Sequence, residues 1–374
     1  MASGSSIFKP FDSGDIVSGR VQSLSYGTWA DGAISQSNFY TSPSQVANSG
    51  SSQLEIGNGA YYWDVYNLAN PDTTVESEKY FSIAYGHING SGSGTYDETV
   101  TKYYPTKAVY KQYKNILLSP GDEYFSFATG SSGATQTDDV YIINFSTDKA
   151  KDRLDSGQFE ITIAGPNGII SLIDDSSYQL STTGVRNKGI YNLVSGSLAN
   201  GIYYGGGQLY EGIGLMYPTV GILILNPAMI ATKTGLPVPI INSTTITSGG
   251  SSVGNRFSSN QAILLYGSPS TATTFTNYGI VKLVSRTTEY VPTRHYFVRV
   301  KNQEFNYSNN PSFVQTGSNA GQLKIDSFID DPKVYITTIG LYDDQNDLLA
   351  VAKLSQPLLK SFDSEALIKI MLSW

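Results

Sequence analysis

The sequence predicts an all-β protein of several domains, mostly antiparallel and sandwich-like, with one or two short helices. Three observations predict it. Short runs rich in Val, Ile, Thr, Tyr and Phe recur between clusters of Gly, Asn, Asp and Ser. Several of those runs alternate apolar and polar residues with a period of two, as a half-buried strand does. Helical periodicity, by contrast, is rare along the chain.

The elements follow in chain order. Tyr61-Tyr62-Trp63-Asp64-Val65-Tyr66 is the first dense aromatic stretch. Thr106 can cap a helix near 106–118 that starts after Pro105. Val109, Tyr110, Tyr113, Ile116 and Leu117 recur there at helical spacing, with Lys107, Lys111 and Lys114 on the other side. Pro120-Gly121 stops it. Tyr141-Ile142-Ile143-Asn144-Phe145 and Ile222-Leu223-Ile224-Leu225 alternate little and read as strands buried on both faces. Phe159, Ile161 and Ile163 face one way and Glu160 and Thr162 the other, which predicts a half-buried strand. A short helical turn follows Asn226-Pro227 through Met229 and Ile230. Tyr296, Val298 and Val300 share one strand face, while Arg299, Lys301 and Phe297 share the other.

The clearest supersecondary unit is a β-hairpin over 334–354. Val334–Tyr342 forms one arm, Asp343–Asp347 a polar turn and Leu348–Leu354 the return. Pro357 is expected to end the second strand, because proline has no N–H for the ladder. Leu367–Trp374 alternates, with Lys369 outward, and predicts a last strand. Asn89–Thr95, Thr129–Thr137 and Thr244–Ser259 read as long loops. No repeat of solenoid length is present. Composition shifts divide the chain into an N-terminal β region (1–135), a central β domain (136–285) and a C-terminal β domain (286–374).

The composition narrows the chemistry. There is no cysteine and there are two histidines, beside 27 tyrosines and 37 glycines. A Cys nucleophile, a Cys-ligated zinc and an iron–sulfur cluster are excluded. A Ser-His-Asp triad would need His87 or His295, and neither has a second histidine at a metal-ligand spacing. His87 reads as a strand-end residue before a turn. The acid pairs Asp138-Asp139, Asp174-Asp175, Asp330-Asp331 and Asp343-Asp344 read as turn chemistry, since adjacent acids on a strand point to opposite faces and cannot form a glycosidase dyad. Gly205-Gly206-Gly207 lacks the Lys and Ser/Thr of a phosphate loop. No catalytic residue, cofactor or metal is expected. Charged residues are 15% and the net charge is −7, against nucleic-acid binding. No apolar run is long enough for a membrane span, and Met1–Ser6 shows no signal-peptide pattern. A tyrosine-rich, sparsely charged surface suits burial in an assembly.

Two stretches carry a resemblance. Phe297–Pro311, and the run from Asp331-Pro332-Lys333 to Lys353-Leu354, resemble virion structural proteins of contractile-tailed bacteriophages, notably the T4-like phages of cyanobacteria. Tyr110–Tyr124 and Tyr191–Ser197 are similar to the same group. The resemblance implies a non-enzymatic subunit of the tail baseplate, made in the host cytoplasm and present in several copies in a symmetric particle. Its implied partners are other virion proteins, fibres among them, with no nucleic acid and no membrane insertion. Arg299, Lys301, Phe305, Tyr307, Asn310, Tyr342, Asp344 and Trp374 are the candidate assembly contacts. Tyr61, Tyr62, Trp63 and Tyr66 form either an interface or a sugar-stacking platform, which keeps open a receptor-binding or fibre-attachment protein that touches host glycans. A head or neck subunit is a further alternative.

Overall fold

The structure, a computed structural model, describes residues 8–26, 40–41, 62–66, 76–93, 105–129, 133–177, 189–203, 211–241, 256–267 and 278–373. Its strands are β1 (Ile16–Tyr26), β2 (Tyr40–Thr41), β3 (Trp63–Tyr66), β4 (Lys79–His87), β5 (Phe125–Thr129), β6 (Gly133–Thr137), β7 (Asp139–Phe145), β8 (Arg153–Gly165), β9 (Gly168–Asp174), β10 (Tyr191–Ser197), β11 (Gly201–Ile202), β12 (Gly214–Tyr217), β13 (Ile222–Leu225), β14 (Gly279–Val300), β15 (Val334–Tyr342), β16 (Leu348–Lys360) and β17 (Ala366–Ser373). Its helices are α1 (Pro105–Leu117), α2 (Thr147–Ala150), α3 (Pro227–Thr234), α4 (Arg256–Tyr266) and α5 (Ser327–Asp330). The all-β, mostly antiparallel class holds, with more short helices than the sequence suggests. Two compact units divide the chain: 23–289, and 1–22 with 290–374. Residues on both sides of 135 belong to one unit, because β4 and β7 are paired neighbours in its sheet.

In the 23–289 unit the strands run in the order β8, β9, β10, β12, β13, β7, β4, β3, β2, with residues 279–288 of β14 outside β8. Neighbouring strands pair antiparallel. Phe145 on β7 and Phe159 on β8 meet edge-to-face with centroids 6.5 Å apart. Four strands lie between them in the sheet, which would separate them by about 24 Å if it were flat. The sheet therefore curls so that β7 and β8 share one core.

That core is the inner face. Phe81, Ile83 and Tyr85 of β4, Tyr141, Ile143 and Phe145 of β7, and Phe159, Ile161 and Ile163 of β8 fill it. Ile230 of α3 and Ala262–Leu265 of α4 complete it. The outer face has its own cover: Val109, Tyr110 and Tyr113 of α1, and Phe125 and Phe127 of β5, lie over Ala84, Ile142, Ile222 and Ile224. The strands read as buried on both faces, β7 and β13, are so because of this double cover.

Several local expectations need correction. Glu160 and Thr162 are buried, not solvent-facing. Glu160 accepts from the Leu198 N–H at 2.9 Å and from Lys282 Nζ at 2.8 Å, and the Thr162 and Ser171 hydroxyls are 2.8 Å apart. Thr106 lies inside α1 rather than capping it. Ser93 Oγ accepts the Thr106 N–H at 3.2 Å, and the Thr106 hydroxyl donates to Ser91 O. Ile116 points into solvent. Residues 133–137 form β6 rather than a loop, paired with β5. Residues 256–259 open α4, which the sequence places in a loop. Gly86 permits the close seat of α1, since a Cβ there would lie 3.0 Å from the Tyr110 backbone.

α3 is legible in its ends. Asn226 Oδ1 accepts the Met229 N–H at 3.2 Å, Pro227 fills the first turn, and Gly235 closes the helix at φ 73°.

Asp139, at the start of β7, is half-buried. Burial pushes its carboxyl up to about 6, although the Tyr85 hydroxyl donates to it at 3.0 Å. Its cross-strand partner is His87; burial lowers that imidazole's pKa, and Nδ1 accepts the Asn89 N–H. The folded state binds the Asp139 proton more tightly than the unfolded chain, whose ordinary value is 3.8. Its contribution to stability is thus present below about pH 4 and lost as the pH rises through about 6. Asp139→Asn should raise the neutral-pH stability by on the order of 1–3 kcal/mol and flatten the stability profile between pH 4 and 6. Denaturant titrations across that range check it.

Candidate assembly interface

The unit formed by 1–22 and 290–374 is built differently. Residues 293–300 of β14 pair antiparallel with β17, with every residue from Thr293 to Val300 matched, and β1 also joins β14. The last strand was expected, and Ile368, Ile370 and Leu372 are its more covered residues while Leu367, Lys369 and Met371 face out. Trp374 lies outside the described residues. β15 and β16 form a two-stranded sheet of their own.

The hairpin reaches further than Pro357 suggested. β16 continues to Lys360, and Val334, Tyr335 and Ile336 pair with Lys360, Leu359 and Leu358. Between the Ile336–Leu358 and Thr338–Lys353 pairs, residues 354–357 stand opposite Thr337 alone. Proline lacks a ladder donor, and this irregularity excuses it from the ladder. The turn is held by Asp343, whose Oδ1 accepts the N–H groups of Gln345 and Asp347 at 2.9 and 2.8 Å.

The unit buries little. Its core cluster is Phe313, Val314 and Val334, with Leu323 and Phe328 against it. Phe313 stacks on Phe328 at 4.9 Å and meets Tyr307 edge-on at 5.5 Å. Outside that cluster, large apolar side chains stand in solvent: Leu349 is 68% exposed, Tyr335 64%, Leu367 63% and Val351 58%, with Met371 and Leu348 beside them in the same class. A two-stranded hairpin alone is marginal in water. Each such side chain would gain up to about 1.5–3 kcal/mol if fully covered.

The candidate contact residues are placed as follows. Arg299 Nε donates to Asp15 Oδ1 at 2.8 Å, though most of the Arg299 side chain is exposed. The Asp12 N–H, together with Arg299, holds the Asp15 carboxyl below its ordinary value. Lys301 is exposed, and its N–H donates to Glu304 at 2.9 Å. Glu304 also pairs with Lys9 at 2.6 Å, so its carboxyl is lowered too. Phe305 and Tyr307 are exposed, and Phe305 adopts φ 54°, a left-handed conformation unusual for an aromatic residue. Asn310 organises its turn by accepting from Ser312 N and Oγ. Tyr342 is exposed and meets Phe8 edge-on at 5.0 Å. Asp344 is at the exposed hairpin tip.

One residue in this region was not singled out by sequence. Lys360 is fully buried, and its ammonium donates to Asn302 O, Asn306 Oδ1 and Ser361 O at 2.8, 2.9 and 2.7 Å. Burial lowers its pKa. It ties the end of the hairpin to the 302–306 loop, where Phe305 takes its strained conformation. Only the fold reveals this, because a lysine at a strand end ordinarily reads as a solvated charge.

The remaining candidates belong to the 23–289 unit. Trp63 is 2% exposed and Val65 is sealed in the inner core, so Trp63 offers no sugar-stacking face. Tyr62 is half-buried against the outer cluster and its hydroxyl donates to Gln112 Oε1 at 3.2 Å. Tyr66 is half-buried at the end of β3; Tyr61 lies outside the described residues. Asp174 accepts the Gly157 N–H through both oxygens at 2.8 Å, and Asp175 accepts from Asn192 N and Nδ2 at 2.8 Å. These acids serve the backbone. His87 belongs to one unit and His295 to the other. Among the described residues no group of three or more His, Cys, Asp or Glu is placed to hold a metal, and no helix is long and apolar enough to cross a membrane.

Comparison with protein-family models, with curated proteins and with solved structures finds no match to this chain.

Lys360→Met keeps the aliphatic stem but strands three oxygen acceptors. It should cost about 1–3 kcal/mol and raise hydrogen exchange across 302–306 and 358–361 while leaving β7 and β8 protected. Site-resolved exchange with mass detection checks both halves of that outcome.

Proposed function

We propose that this chain is a non-enzymatic structural subunit of a bacteriophage virion, seated in the contractile-tail baseplate and acting through broad protein–protein contacts. The observation that carries the reading is the imbalance within the chain. The 23–289 unit covers its sheet on both faces. The other unit leaves Tyr335, Leu349, Val351, Leu367 and Met371 uncovered around a small cluster. Apolar side chains left in solvent suit a part that is completed by its neighbours. The resemblance of 297–311 and 331–354 to virion structural proteins supplies the kind of particle, and those segments fall within the uncovered unit.

The contact side chains that carry the energy in this reading are the apolar ones on the hairpin, with Asp344 at its polar tip and Lys301 as a further exposed charge of the same unit. Arg299 is a poorer probe, because reversing its charge would also set two acids together at Asp15.

Leu349→Asp with Val351→Asp should leave the thermal midpoint of the isolated chain within a few degrees and reduce incorporation into particles at least ten-fold. Counting the chain in purified particles by quantitative mass spectrometry checks it. A copy number that is a multiple of six supports a tail position. Several hundred copies would place the chain in the head instead, and normal incorporation of the double variant would remove the hairpin from the interface.

A further inference from the structure

We propose that β15 is the seam of a twofold contact between two copies of this chain, the strands pairing antiparallel about Thr338. The proposal deepens the assembly reading and rests on it.

The two outer edges of the hairpin are unlike. The β16 edge carries the devices that discourage strand addition: Lys353, Pro357 and the four-residue irregularity. The β15 edge carries none. Val334-Tyr335-Ile336-Thr337-Thr338-Ile339-Gly340-Leu341-Tyr342 has no charge and no proline, and is rich in β-branched and aromatic residues. Among the described residues no strand pairs with this edge. Its N–H and C=O groups form a template for an added strand.

The occupant follows from the pattern. A twofold axis perpendicular to the sheet preserves its faces, so residues whose numbers sum to an even value stand opposite each other. With the axis at Thr338, Thr338 opposes itself, Tyr335 opposes Leu341 and Val334 opposes Tyr342. Aromatic–aliphatic and Thr–Thr pairs are favourable cross-strand partners. One step beyond each strand end, Lys333 then opposes Asp343 of the other copy, and symmetry makes this pair twice. Sliding the copies by two residues toward the start of β15 sets Asp331 against Asp343 instead, and sliding them the other way sets Lys333 against Gln345. Among these adjacent registers charge favours the Thr338 one, in a chain whose net charge of −7 otherwise disfavours self-association. In the free chain Lys333 is half-exposed and pairs with Asp331 at 2.9 Å, so it can change partners at little cost.

The full chain contains no cysteine, so one introduced thiol reports on one position. In this register two copies of residue 338 have Cβ atoms about 5 Å apart, close to disulfide reach. Two copies of residue 335 are about 20 Å apart. Thr338→Cys should form a disulfide-linked dimer under mild oxidation at tens of micromolar, at least ten-fold faster than Tyr335→Cys. Adding Lys333→Glu to Thr338→Cys should slow the cross-link several-fold. A Thr338→Cys chain that links no faster than Tyr335→Cys overturns the twofold contact, and a rate indifferent to Lys333→Glu overturns the register. If such a chain still enters particles normally, the assembly reading stands and only the self-pairing falls.

Discussion

A two-stranded β-hairpin has two faces and two edges, and no single small cluster can cover them all. That constraint governs the 290–374 portion of the chain. β15 and β16 are long, pair with each other and leave Tyr335, Leu349 and Val351 in water. The Phe313–Phe328 cluster buries one end, at Val334, and the buried Lys360 ammonium fixes the adjoining loop. The unit is thus ordered by a few specific polar contacts and a small aromatic stack. Apolar burial, the main driving term in folding, is left incomplete.

The 23–289 unit shows what completion looks like in the same chain. Its sheet curls until β7 and β8 meet through Phe145 and Phe159, with α4 among the inner residues and α1 with β5 on the outer face. Three acids carried into that interior are met by main-chain groups. Glu160, Asp174 and Asp175 accept main-chain N–H groups rather than facing a cleft. Such groups fix register and orientation.

Much of this was legible in the sequence, and the exceptions have physical causes. Strand alternation located β8 and the hairpin, and the Asn226-Pro227 start of α3 was readable because capping is local. α4 was missed because Ala262-Ile263-Leu264-Leu265 is buried all round, which removes the polar face that periodicity detects. β6 was missed because its residues are polar, small and mostly exposed, and its strand state comes from pairing with β5. Glu160 and Thr162 looked solvated because alternation shows that two faces differ but not that both are covered. Trp63 looked like a contact residue because burial is a tertiary property. For the candidate interface the sequence offers a region only, as an expectation. Its apolar content, the exposed Leu349 and Val351, was hidden because exposed and buried strand residues share one alphabet.

The central claim is that the hairpin region is finished by neighbouring subunits. The most direct measurement is hydrogen exchange across 334–360 in the free chain and again within the assembled particle. The account predicts rapid exchange of the outer-edge amides when free and strong protection on assembly, with β7 and β8 protected in both. Equal protection of 334–360 in the two states would contradict it.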